Sequence, residues 1–326
     1  MDLFEKGMFV KTPAWHEKGI VVPNWASSFA EASELAGLDW DVYSTAIPGI
    51  PGWAAIRRSD TEEPIWVAPD TYTPVTHRMF GEVVDEVLRV EVGSGIDALT
   101  VLDGGRSITA TVFLPEPLKV PGDDSQLWPY YNLSDRHDQK GGLRTGPGLI
   151  RVVCANTQRV AESQMDVSSL GRVFRHTKGI TAHWDSVKEA ISNDLRFARQ
   201  VMNDFNETAQ ILAVEPFGKE KVKQFKHRWL PVTTSMSPRS RTYTESLLKS
   251  FDDAYSTSET RVGNDSAWAV YQAVQEADQH SFPSRSREGL VRRQWAGGSD
   301  YAARGSKVLL DMVGLSSRRL AAPTSL

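Results

Sequence analysis

The spacing of apolar residues changes character near the middle of the chain. Up to about residue 155 they alternate or come in short β-branched blocks, and beyond it they recur every three or four positions. The first pattern belongs to half-buried strands and the second to amphipathic helices. Phe29, Ala32, Leu35 and Ala36 keep helical step behind Ser27-Ser28 and stop at Gly37, which predicts a helix over 28–37. Strands are predicted at 40–47 and 53–58 across the Pro48–Gly52 turn, and 53–58 pairs with 64–68 as a hairpin around Asp60. Phe80, Val83, Val84 and Val87 share one face of a helix over 77–90, and strands at 98–103 and 107–114 flank Asp103-Gly-Gly-Arg106. Residues 1–25 read as irregular. Five prolines make 115–147 loop-rich, with a short strand at Tyr130-Tyr131-Asn132 and a polar surface turn over 135–142.

The segment Gly148–Gln158 carries β-branched residues into Asn156-Thr157, a strand delivering the chain to a helix at 157–164. A long helix follows over 184–214, with Val187, Ile191, Leu195, Ala198, Met202 and Phe205 in step, and further helices are predicted at 218–227, 241–256, 264–279 and 300–313. Strands first and helices afterwards predict an α+β protein: a β-rich antiparallel N-terminal half with packed helices, and a helical C-terminal half. The expected division is an α+β core over 1–180 and a mainly helical region over 181–326 packed on it, with a mobile stretch near 281–299.

Charge adds an asymmetry to this picture. The net charge of −4 combines −10 over residues 1–150 with +6 over 151–326. A basic second half suits a polyanionic partner, although a plain charge gradient explains it equally. The single cysteine excludes an intramolecular disulfide framework and a cysteine-based zinc cluster. Met1–Lys6 lacks the basic-then-apolar order of a signal peptide, and no apolar run approaches the roughly 20 residues of a membrane span, so a cytoplasmic protein without a membrane partner is expected. Phosphate-loop, dinucleotide, zincin and nucleophile-elbow patterns are missing, and no cofactor is expected.

Three groups of residues carry candidate chemistry. Cys154 would be a nucleophile with His176 as its base, yet within Val-Val-Cys-Ala it reads most simply as a small buried hydrophobe. Asp135, His137 and Asp138 place oxygen and imidazole donors close together, as a divalent metal requires and as a polar turn also does. Cations gather at Arg144, Arg151, Arg159, Arg175 and Lys178, and again at Lys223 and Lys226 beside Trp229. Basic residues interleaved with aromatics suit single-stranded nucleic acid, where phosphates are paired and bases stack.

Several stretches together carry a resemblance. Trp53–Arg58, Tyr72-Thr-Pro-Val75, Gly104-Gly-Arg106, Asn132 with His137-Asp138 and Gly141, Arg151-Val-Val-Cys-Ala-Asn-Thr157 and Arg175-His-Thr177 resemble a phage- and plasmid-associated family catalogued as a domain of unknown function. The likeness runs from about residue 15 to 210 and more loosely from Asp265 to Lys307. It implies a mobile-element protein of a bacterial cytoplasm and brings no catalytic residues with it. In outline the chain is similar to ring-forming single-strand annealing proteins. The leading expectation is therefore single-stranded DNA binding and annealing in phage recombination or replication, by a homo-oligomer, with a phage exonuclease or host factor as partner. The named cations would hold phosphates and Trp229 would stack. The alternatives are a metal- or cysteine-dependent enzyme on nucleotides or nucleic acid, and a non-enzymatic host-interaction protein.

Overall fold

The structure is a computed structural model that describes residues 4–10, 18–117, 119–122, 127–138, 142–151, 172–256, 265–278 and 300–315. Ten strands and eight helices are described, and they confirm the α+β class. The strands are β1 (Phe4–Val10), β2 (Ile20–Val22), β3 (Val42–Ala46), β4 (Trp53–Arg58), β5 (Pro64–Pro69), β6 (Gly95–Leu102), β7 (Ser107–Phe113), β8 (Leu127–Arg136), β9 (Leu143–Arg151) and β10 (Arg172–Phe174). The helices are α1 (Phe29–Ala36), α2 (His77–Val90), α3 (Lys178–Ala182), α4 (Trp184–Val214), α5 (Lys219–Trp229), α6 (Pro238–Ser256), α7 (Ala267–Glu276) and α8 (Asp300–Met312). Seven strands form one sheet in the order β10-β9-β8-β7-β6-β1-β2, and β3-β4-β5 form a second. Every described pairing is antiparallel except that of β1 with β2.

Helix α1 begins and ends where the sequence places its caps, and α2 opens on a capping threonine. Ser28 accepts a hydrogen bond from the Glu31 amide to open α1, Gly37 closes it in the left-handed region at φ 69°, and Thr76 accepts from the Met79 amide to open α2. Residues 1–25 and 115–147 hold more strand than the sequence suggests. In β1 a register shift between Phe4 and Lys6 breaks the alternation. In β8, Tyr130, Tyr131, Asn132 and Leu133 are all buried, so both faces are covered and no polar–apolar alternation survives. The predicted helix at 157–164 and the stretch 281–299 lie outside the described residues.

Two apolar cores result. The larger joins the big sheet to α1, α2 and the first half of α4, through Val187, Ile191, Leu195, Ala198 and Met202. The second unites α5 to α8 with the far half of α4, through Ala209 and Leu212. Among the described residues no helix is long and apolar enough to cross a membrane.

Candidate metal centre

Strand alternation sets the centre. Tyr131 and Leu133 point into the larger core, and Asp135, two residues on and opposite Ile108, continues their row. His137 follows at the same step, just past the strand, where its amide donates to the Arg106 carbonyl at 2.9 Å. His176 arrives from the sheet edge, two residues beyond the Phe174–Leu143 register pair of β10 and β9. Gly142 permits that approach, since a Cβ there would collide with the Phe174 carbonyl oxygen. Tyr72 comes from the connection between β5 and α2.

Asp135 and His137 are fully buried and His176 is 7% exposed. One ligand atom from each of the three lies within 4.8 Å of the others. The Asp135 carboxylate can only accept, so His176 Nε2–H donates to its Oδ1 at 2.6 Å. With His176 neutral, its Nδ1 accepts from the Tyr72 hydroxyl, which also lies 3.2 Å from His137 Nδ1. That second contact is satisfied when His137 Nδ1–H donates to the Tyr72 oxygen, and it leaves His137 Nε2 as a bare lone pair. This atom and Asp135 Oδ2 lie 3.6 Å apart, and both lack a hydrogen-bond partner. The separation is too long for a hydrogen bond. It is close to the roughly 3.4 Å between two ligands that each sit about 2.1 Å from one tetrahedral zinc ion.

The charges favour a cation at this point. Burial favours the neutral acid at Asp135, but the imidazoles of His176 and His137 outweigh it and hold the carboxyl below its ordinary range. Burial pushes His137 down to about 4, more than the Asp135 charge restores, so its ring is neutral and ready to ligate at neutral pH. Burial also raises the Tyr72 hydroxyl, with Asp135 and Asp138 adding to the effect, so it remains a proton donor. A buried pair of acceptors with no proton between them is the arrangement a metal ion completes. Two imidazoles and a carboxylate form the donor set of zinc hydrolases and of non-haem iron centres.

Of the sequence candidates, the structure brings Asp135, His137 and His176 together and sends Asp138 elsewhere. Asp138 pairs with Arg136 at 2.6 Å, which corrects its expected place among the ligands. The surface-turn reading is also corrected, because Asp135, His137 and Asp138 are all buried. Cys154 and Arg159 lie outside the described residues, as does the side chain of Arg151. Arg175 and Lys178 are exposed on either side of His176, and Arg144 is half-buried. In α5, Lys223 is exposed and Lys226 is paired with Asp252 at 2.6 Å. Trp229 is fully buried against Phe225 and Phe251, with Nε1 donating to the Tyr301 carbonyl at 2.7 Å. It offers no ring face to a base, which corrects the expected stacking role. Sequence reasoning gave no role to Tyr72; the one local signal for the centre is the two-residue spacing of Asp135 and His137.

Fold and site together define an α+β protein with a candidate two-histidine, one-carboxylate centre. Residues 65–295, a span that includes Tyr72 and all three candidate ligands, match the family model described as "Domain of unknown function (DUF932)", and the chain belongs to that family. No curated protein and no solved structure matches it.

Proposed function

We propose that this protein is a metal-dependent enzyme acting on nucleotides or nucleic acid, with a divalent transition metal held by Asp135, His137 and His176. The observation that carries the reading is the unpartnered, fully buried pair of His137 Nε2 and Asp135 Oδ2 at 3.6 Å. Three protein ligands leave a coordination position for water, whose acidity the ion would raise. His176 would ligate through Nε2 once the proton it donates to Asp135 in the metal-free protein has moved to Nδ1, and the Tyr72 oxygen would then accept from both Nδ1–H groups, as outer partners of ligating histidines do. Exposed Arg175 and Lys178 beside His176 supply the positive charge that draws a phosphate-bearing substrate.

Metal analysis of the protein after reconstitution with zinc, iron(II), manganese or cobalt tests the site. About one equivalent is expected, lost in Asp135→Asn and His176→Gln, together with metal-dependent turnover of a nucleotide or oligonucleotide. Retention of less than about a tenth of an equivalent in folded wild-type protein would overturn it.

A second reading keeps the single-strand annealing expectation. It is favoured by the same exposed Arg175 and Lys178 at the β10 edge of the sheet and needs no metal. Fluorescence anisotropy with a single-stranded oligonucleotide separates the two. Salt-sensitive binding unchanged in Asp135→Asn supports annealing, and no binding at low salt removes it.

A further inference from the structure

Among the described residues the small sheet has open edges at β3 and β5, and the two are built differently. We propose that β3 is the interface of a two-fold dimer, in which the β3 strands of two copies pair antiparallel and join their small sheets into one.

An open strand edge is a template for another strand, and soluble proteins blunt it with prolines, charges, bulges or very short strands. β5 begins at Pro64 and ends at Pro69, and its register with β4 shifts between Ile56 and Arg57. β2 and β10, at the edges of the large sheet, have three residues each. β3 has none of these devices. Its sequence Val-Tyr-Ser-Thr-Ala holds no charge and no proline, and its five pairs with β4 run without a shift.

The backbone turns hydrogen-bonding groups out along this edge. The Ile47 amide donates to the Trp53 carbonyl at 3.4 Å, and the Ser59 amide to the Asp41 carbonyl at 2.9 Å. Antiparallel alternation then directs Tyr43 and Thr45 toward β4, and Val42, Ser44 and Ala46 away from it. Asp41 Oδ1 takes the Val42 amide at 2.7 Å. Among the described residues no backbone group pairs with the outward amides of Ser44 and Ala46 or the carbonyls of Val42, Ser44 and Ala46. Ser44 and Ala46 are exposed.

A second copy of this chain fits the edge. With the two-fold axis at Ser44, the two Ser44 residues exchange amide-to-carbonyl bonds, and each Ala46 amide meets the Val42 carbonyl of the other copy. Both outward amides of each copy are then used. The same register sets Thr45 beside Tyr43 of the other copy on one face, and exposed Ala46 beside Val42 on the other, with no charge opposing another. Pairing also closes the assembly. Both outer edges of the joined sheet become β5 with its prolines, so growth stops at two copies. An unrelated peptide laid on β3 would instead bring a new open edge to the outside.

Sedimentation equilibrium of the full chain from about 1 to 100 μM is the test. The 36.2 kDa chain should sediment as a dimer in exchange with monomer. Ser44→Pro removes an outward amide that the small sheet itself does not use, and should raise the dissociation constant about ten- to hundredfold. Ser44→Lys sets like charges directly opposite and should weaken the dimer in the same direction. Val67→Lys, on the exposed face of β5, should leave the dimer unchanged, which separates edge pairing from docking of an apolar face. Circular dichroism should show each variant folded. A wild-type chain that stays monomeric throughout, an assembly that neither folded Ser44 variant weakens, or one that Val67→Lys dissolves overturns the proposal. The pairing uses no residue of the metal centre, so its failure would leave that reading untouched.

Discussion

His137 is where a proton and the proposed metal would compete. Burial holds its imidazole at about 4, against an ordinary value of 6.5. Between those values the unfolded chain takes up a proton that the folded chain refuses. The stability present above pH 6.5 is therefore lost as pH falls toward 4, by about 3 kcal/mol from this one group. Denaturant titrations of metal-free protein should show the midpoint falling through that window, and His137→Gln should flatten the slope. Tyr72 makes a different prediction, because its hydroxyl touches both Nδ1 atoms and neither Nε2. Tyr72→Phe should leave the chain folded and weaken metal binding about 10–100-fold, as read by competition with a chromogenic chelator.

At the scale of the element, the centre depends on strand ends meeting closely. Gly142 directly precedes β9, where the Phe174 carbonyl crosses it. Gly142→Ala should push β10 and His176 outward and reduce metal stoichiometry while far-ultraviolet circular dichroism stays near wild type. In α5 the expectation runs the other way for Trp229. Its ring fills the second core, so Trp229→Ala should cost about 3–5 kcal/mol of stability. Any change in oligonucleotide binding should follow the folded fraction rather than a lost stacking contact. The elements themselves were largely legible in the sequence: α2 and α4 begin and end at the predicted residues because their apolar faces are local signals. β8 was not legible. A strand covered on both faces shows no alternation, and one that sets Asp135 into the row of Tyr131 and Leu133 looks like a polar turn. The Asp135–His137 half of the centre could be read locally. Its closure by His176 and Tyr72 could not, because nothing in a one-dimensional pattern brings those segments together.

At the scale of the molecule, α4 belongs to both cores: its first half seals the large sheet and its second half enters the helical bundle. A chain cut after residue 180 strips Val187, Ile191 and Leu195 from the sheet and leaves a broad apolar face to water. Such a fragment should aggregate or unfold without a cooperative transition. A fragment ending after residue 215, which keeps all of α4, should retain native-like sheet signals by near-ultraviolet circular dichroism. The charge asymmetry of the sequence does not map onto separate bodies here, because this one helix runs through both.

The sequence distances closed at the centre have a consequence for biosynthesis. Tyr72 meets a ring 65 residues later and another 104 residues later, and Asp135 waits 41 residues for His176. A growing chain therefore carries two of the three candidate ligands before the third leaves the ribosome, and contacts of such long range form late in folding. Metal capture should then mark completion of the larger sheet. A nascent chain stalled before residue 176 would have no finished site to offer, and starvation for the metal should act on finished protein rather than on its synthesis.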